Sequence, residues 1–480
     1  MSRRSGRSPL LTSPSLLLFA LFALPLVINP TVAPSFDVIY LQPKLWWVYG
    51  VVLPAALLMV WQAWGAGALR WTAPAWGLLA LAVWLLCSAA IQPAVLTWLG
   101  ASDRADGVLM HLLYVLVAFA GLGWMQATPA GGATLTLARA ALVGGAALAL
   151  PNVLQQLTLL GVIGEGAFQG VVATAFGGTL GHRGYMGGVL ALLLPLLVGV
   201  QPHLRGQERA WGWVALLLVA WGLAGSWSRG PWLAGGVGLL WLLLWNRRWL
   251  TWPTGTALVL GILLCVGAAQ LPRSVARSFG GTSGQNITDS SGRGVLWHSA
   301  LIGIAQKPLT GWGPPALWRV MATRPADALL AESHLGDVRS ARRLPQVSEG
   351  PPRFILGRPD GKRESFEIGV NKVHNEYMDY ALTYGLPVAL AFIGLLSWAI
   401  WLSRLIAPGL SAALVAYSIY LFTWPEVIRF APIAWFFMGV ALAAGASTRR
   451  AAAKVQPCPS PPSKNGIPSP GSSQEATSLS

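Results

Sequence analysis

Long apolar runs, almost free of charge and separated by short polar turns, occupy most of this chain. A run that crosses a membrane needs ~20 mostly apolar residues. Runs of that kind lie near 14–33, 43–64, 72–91, 108–127, 134–158 and 185–201. Six more lie near 210–226, 230–246, 254–271, 381–403, 409–424 and 431–447. Hydrophobic residues make up 54% of the 480 and charged residues only 10%. A single water-soluble core stops growing well before that length. The expected fold class is therefore an all-α polytopic membrane protein with about 12 transmembrane helices. The 25 tryptophans suit it, because indole favours the membrane–water interface. The first run reads as a signal anchor, since no convincing cleavage site follows and Pro30 and Pro34 crowd its exit.

Basic residues set the expected orientation. With the N-terminus inside, Arg3, Arg4, Arg7, Arg70, Arg205, Arg209, Arg247, Arg248 and Arg404 fall inside, with Arg449, Arg450 and Lys454 in the tail. Short outer loops hold few cations: Lys44, Arg104, Arg183, Arg229 and Arg429. That is the positive-inside bias. Four parts follow: a bundle of nine spans (1–271), an extracytoplasmic subdomain between spans 9 and 10 (272–373), three last spans (374–447) and a Pro/Ser-rich cytoplasmic tail (448–480) expected to be disordered. The basic insert explains part of the net charge of +16. Cys87 and Cys265 lie in spans and Cys458 in the tail, so no disulfide framework holds the insert.

The insert has its own organisation. Trp297, Ala300, Leu301 and Ile304 recur at helical steps, predicting an amphipathic helix over 293–305. The run from Lys307 to Pro314 ends it. Phe354-Ile355-Leu356, Pro359-Asp360-Gly361 and Phe366-Glu367-Ile368 suggest a small hairpin.

Polar groups at a membrane edge are costly and mark candidate chemistry. Ser226-Trp227-Ser228-Arg229-Gly230 is one such turn. Arg229 either snorkels to lipid headgroups or clamps an anion with its planar fork. Gly181-His182-Arg183-Gly184 precedes a helix whose N-terminal amides would favour an anion; otherwise it is an interfacial loop with a solvated Arg183. Asp103-Arg104-Ala105-Asp106-Gly107 reads first as a local ion pair in a turn. Arg293 with Trp297 is a solvated helix end or a second anion contact. His374-Asn375-Glu376 is the sharpest signal. Asn375 suits an N-cap, and a helix N-terminus favours a neutral His374 able to accept a proton. The bland reading is a capped helix with a hydrogen-bonded histidine. The six histidines are scattered without metal-ligand spacing, and there is neither a phosphate-binding loop nor a dinucleotide fingerprint. No metal, cofactor or nucleic-acid partner is expected.

Taken in order, these motifs resemble the O-antigen ligase/polymerase (Wzy/WaaL-like) family. The resemblance rests on Ser226 to Gly235, Gly292-Arg293 to Trp297, Pro308-Leu309-Thr310-Gly311-Trp312-Gly313, and His374-Asn375-Glu376-Tyr377 with Gly385-Leu386-Pro387. Arg104-Ala105-Asp106-Gly107 and Gly181 to Gly184, followed by Leu190 to Pro195, are similar to earlier family motifs. It covers about 100–400. The Gly181 to Gly184 turn departs from the Asn-Pro-Asn often found there.

The resemblance implies a metal-independent membrane glycosyltransferase of the GT-C type in the cytoplasmic (inner) membrane, its active site facing the periplasm or cell exterior. Such an enzyme moves a glycan from an undecaprenyl-diphosphate-linked donor to an acceptor hydroxyl. Carried over by motif, His374 is the catalytic base, and Arg229, Arg293 and Arg183 bind the donor diphosphate. Asn375, Glu376, Trp297 and His182 support them. The acceptor is a glycan, lipid or protein, and the lipid tail lies in the bilayer. A polysaccharide polymerase and a protein O-oligosaccharyltransferase share these motifs and stay open. A transporter would need polar groups near the bilayer midplane, where these spans are nearly free of charge.

Overall fold

The structure is a computed structural model that describes residues 13–29, 36–128, 130–159, 177–246, 251–270, 293–333, 338–345 and 350–455. Arg3, Arg4, Arg7, Pro30, Pro34, Arg247, Arg248, Gly292 and Cys458 lie outside the described residues, as do 272–292 of the insert and 456–480 of the tail.

The chain is mostly helical. Each of the expected apolar runs contains helix. Six helices among the described residues are long and apolar enough to cross a membrane: Asp37–Gly65, Ala73–Ile91, Val108–Ala127, Gly132–Thr158, Arg183–His203 and Leu386–Ser403. Shorter apolar helices cover Pro14–Leu26, Trp252–Gly267, Pro408–Leu421 and Ala431–Ala444. Gly206–Ala224 and Arg229–Trp245 fill the remaining expected positions. The final helix, Ala431–Val455, continues past the boundary expected at 447.

Arg183–Val200 is buried on almost every side, as an all-round apolar helix should be. It packs against Ala130–Leu159, Gly206–Ala224, Arg229–Trp245 and Pro408–Leu421. Small residues permit that closeness: a Cβ on Gly187 would press on Pro231 and Ser226, and one on Gly188 on Tyr420. A second group joins Val108–Ala127 to Ala431–Val455, Leu53–Gly65 and Ala73–Ile91. Lys44 departs from its expected place in an outer loop. It is fully buried, and its Nζ donates to the Val27 and Thr179 carbonyls at 2.6 and 2.9 Å.

The expected insert helix is present as Arg293–Gln306. Ala316–Thr323 and Ala326–Ser333 follow. A three-stranded antiparallel sheet comes next: β1 (Ser340–Arg343), β2 (Arg353–Gly357) and β3 (Arg363–Glu367), in that order. The all-α expectation is corrected here. The β2–β3 hairpin was legible, pairing Phe354 with Phe366, but β1 was not. Its Ser-Ala-Arg-Arg has no apolar alternation, because an edge strand stays partly solvated and is often charged. Phe354 and Leu356 bury against Leu329 in a small separate core.

The insert docks through one core and one interlocked turn. Ala300, Leu317, Val320 and Met321 pack with Val373 and Leu382, joining the insert to the Glu376–Tyr384 helix. The 308–313 turn bonds to the far end of that helix: Trp312 N donates to Leu382 O at 2.9 Å, Gly313 N to Thr383 O at 2.8 Å, and Leu386 N to Pro308 O at 2.7 Å. Gln92 Nε2 adds a bond to Gly311 O at 2.7 Å. Gly385 stands at φ 91° and breaks the expected span 381–403 into two helices. A side chain there is strained by φ and would run into the Leu309 carbonyl. Gly385→Ala is expected to destabilise the protein by roughly 1–3 kcal/mol. Thermal unfolding of the purified variant, followed by tryptophan fluorescence, checks this; an unchanged midpoint contradicts it.

Candidate functional site

The 371–376 segment joins the insert to the Glu376–Tyr384 helix and is held by charge. Lys372 is buried, with its Nζ 2.6 Å from Asp379 Oδ2, 2.9 Å from Asp106 Oδ2 and 3.9 Å from Glu376 Oε1. Burial works against its charge, but Asp106, Asp379 and Glu376 outweigh that and hold its pKa well above the ordinary lysine value. Burial alone would raise Asp106; Lys372 and Arg104 reverse this and hold it ionised. Glu376 has Lys372 at longer range and two further carboxylates nearby, and burial pushes it well up. Its Oε2 accepts from Glu426 N at 2.8 Å. The 103–107 loop is tied in as well: Arg104 Nε donates to Asn371 Oδ1 at 2.7 Å, and Asn371 Nδ2 to Asp103 Oδ1 at 2.9 Å.

His374 follows directly on that anchor. Its backbone is left-handed, at φ 57°, rare for a residue with a side chain. Four bonds hold it there. Val373 N donates to Asp379 Oδ1 at 3.3 Å, and Trp297 Nε1 to Val373 O at 3.1 Å. Asn375 caps the next helix, accepting from Met378 N at 3.1 Å. His374 Nδ1 sits 3.2 Å from Lys372 O. A carbonyl can only accept, so Nδ1 carries the hydrogen and Nε2 is left as the basic nitrogen. Burial lowers the His374 pKa to about 4, with help from Arg104 and Arg293. The ring is neutral near pH 7.

Trp424, in the turn after Pro408–Leu421, gathers the other groups. His374 lies 5.9 Å from it between ring centroids, His182 5.0 Å and Tyr185 5.9 Å. The Arg293 guanidinium is 5.9 Å from the same ring. His182 caps the Arg183–Val200 helix, its Nδ1 accepting from Gly184 N at 3.1 Å, and burial with Arg429 and Arg183 lowers its pKa to about 4. Gly184 and Gly230 lie against Trp424, so the two glycine turns let the indole approach both backbones. Burial and then the field of Arg229 lower the Arg293 pKa, which puts the two arginines in one electrostatic neighbourhood.

Residues 214–393 match the O-antigen ligase family (Wzy_C). The chain carries an O-antigen ligase/Wzy-like domain. No curated protein and no solved structure matches the chain. The O-antigen ligase match runs from within Gly206–Ala224 to within Leu386–Ser403, so it contains Arg229, Arg293, Trp297 and His374. Arg183, His182 and Trp424 lie outside it. The family supports a glycosyltransferase-like membrane enzyme of the O-antigen ligase/polymerase type.

Among residues proposed from sequence, His374, Arg293, His182 and Trp297 converge. Asn375 and Glu376 sit beneath them. Arg229 and Arg183 are exposed at the ends of their helices. Sequence reasoning missed Lys372, Asp379 and Trp424. Asp379 lies three residues beyond Glu376 on the same helix, a spacing that puts both carboxylates on one face. Trp424 ends an apolar run and gave no signal.

His111, Glu376 and Glu426 are buried, with possible ligand atoms within 4.8 Å of one another. These groups already have protein partners. Glu426 accepts from Tyr380 at 2.8 Å, from Trp435 at 2.7 Å and from Tyr417. His111 Nδ1 lies 2.9 Å from both Gly107 O and Tyr384 OH. Glu426 thus has the donor set of a carboxyl satisfied by hydrogen bonds, which a metal would have to displace.

Removing Lys372 leaves buried carboxylates without their cation. Lys372→Met is expected to destabilise the protein by about 3–5 kcal/mol, and adding Asp379→Asn to recover part of it. Thermal midpoints of the single and double variants check this; no recovery in the double variant contradicts the pairing.

Proposed function

We propose that this protein transfers a glycan from an undecaprenyl-diphosphate-linked donor to an acceptor hydroxyl, in the manner of an O-antigen ligase, at the outer face of the inner membrane. The observation that carries this reading is the convergence of neutral His374 and cationic Arg293 on one indole, Trp424, with Arg229 nearby. His374 Nε2 takes the proton of the acceptor hydroxyl. The hydroxyl oxygen bonds to the anomeric carbon as the bond from that carbon to the diphosphate breaks. Undecaprenyl diphosphate leaves with the electron pair, and Arg293 and Arg229 stabilise the charge it gains. Two fixed cations can do this without a metal.

The low basicity of His374 is itself informative. Burial first, and then the positive fields of Arg104 and Arg293, depress its pKa to about 4. A bound diphosphate would offset those fields and make the imidazole a stronger base. The base would thus gain strength when the donor is present.

The test uses purified protein in EDTA with its lipid-linked donor. His374→Ala should stay folded and lose ~10²–10⁴-fold in rate. A variant that transfers as fast per folded molecule as the wild type removes the base assignment. In the wild type, kcat/KM reports the free enzyme. A base acts when deprotonated, so kcat/KM should hold as pH falls through 6.5 and drop only near pH 4. The acid limb of kcat should lie at higher pH, where the donor has raised the His374 pKa; limbs at the same pH contradict the coupling.

Arg229→Lys keeps a charge but loses the planar fork. It is expected to lose ~1–3 kcal/mol of donor or transition-state binding, read from kcat/KM. Normal kcat/KM in Arg229→Ala would sink the clamp role.

A further inference from the structure

Beside the Trp424 cluster lies an open cavity of about 170 Å³. It is separate from the Arg229 and Arg293 side and shares His182 and Tyr185 with the cluster. Its other polar lining is Asp37, Asp103, Arg104, Glu426 and Arg429, and Glu426 is already taken up by Tyr380, Tyr417 and Trp435. Four regions of the chain build it: the start of the Asp37–Gly65 helix, the 103–107 loop, the start of the Arg183–Val200 helix and the turn before Ala431–Val455. The side chains are held in place. Arg104 Nη1 donates to Tyr185 OH at 3.1 Å, Arg429 lies over the Tyr185 ring at 5.1 Å, and Arg429 Nη1 donates to Leu180 O at 2.8 Å.

The charge pattern restricts the occupant. An anion that met Arg104 and Arg429 would also face Asp37 and Asp103. A cation drawn to the aspartates would face the two guanidinium groups. A neutral molecule with adjacent hydroxyls satisfies both, donating to carboxylates and accepting from guanidinium N–H groups. Tyr185 and His182 add ring surface for an apolar face. The volume gives room for one sugar ring. The geometry points to a subsite for one uncharged pyranose ring, held among Asp37, Arg429 and the paired Asp103 and Arg104. This assignment rests on the transferase reading in its place in the reaction. The ring is either the first sugar of the donor or the terminal sugar of the acceptor, beside His182, which shares Trp424 with His374.

The full-length protein in lipid nanodiscs tests it. Saturation-transfer NMR is run with methyl N-acetylglucosaminide, methyl galactoside, methyl glucuronide and inorganic phosphate. The wild type should bind a neutral glycoside in preference to the glucuronide and phosphate. Asp37→Asn and Arg429→Lys should each weaken that binding on the order of tenfold, the loss of one charge-assisted bond. Preference for glucuronide or phosphate overturns the assignment, as does unchanged glycoside binding in the folded variants. Should one variant fail to fold, the other decides. Transfer kinetics with the protein's own donor and acceptor name the source. A raised KM for the donor alone in Asp37→Asn assigns the donor sugar, and a raised KM for the acceptor alone assigns the acceptor. No change in either KM overturns the subsite. Should the wild type transfer nothing, the transferase reading fails, while glycoside binding still decides the subsite.

Discussion

The buried ion pairs of Lys372 hold the site together. One ammonium meets Asp379, Asp106 and Glu376, and each carboxylate belongs to a different place or turn of the structure. Asp106 ends the loop before Val108–Ala127; Asp379 and Glu376 lie on the helix that carries the insert. Charges this deep are stable only when matched and bonded. The cluster therefore fixes the 371–376 segment against both neighbours. His374 sits two residues from Lys372, its Nδ1 against the carbonyl of that same lysine. Backbone direction, ring tautomer and ion pairing come from one arrangement.

The insert serves the same end. Its first described helix starts at Arg293 and reaches Val373 through Trp297. Its 308–313 turn bonds across the Gly385 break. A base and a cation that are 81 residues apart in the chain are thus brought to one indole. The glycines of the family-like motifs have a plain use here: Gly184 and Gly230 let Trp424 lie against two helix starts, and Gly385 turns the chain where a side chain would clash.

Much of this was legible in the sequence. The apolar runs dictated helices, because residues that suit hydrocarbon recur over lengths that can cross it. The Arg293 helix and the β2–β3 hairpin followed from periodicity and turn residues, and Asn375 from its place before a helical run. His374 stood out because a histidine, an amide and a carboxylate together at a membrane edge are costly. The sequence could not rank its arginines, since tertiary placement decides their surroundings: Arg183 and Arg229 are both exposed at helix starts, and Arg104, read as a turn ion pair, lines the cavity.

What the sequence determined by itself was the helical, membrane-type class and the short polar motifs at helix ends, since local spacing and hydropathy specify both. What only the tertiary structure decided was which of those motifs meet. Lys372 gains its partners from Asp106, 266 residues earlier, and from Asp379 on its own side. Trp424 becomes a hub because Arg183–Val200, Arg229–Trp245 and the insert helix all begin beside it. Lys44 turned out buried on two carbonyls where charge counting placed it in a loop. Pairing across such separations depends on packing, and packing is not written in the local order of residues.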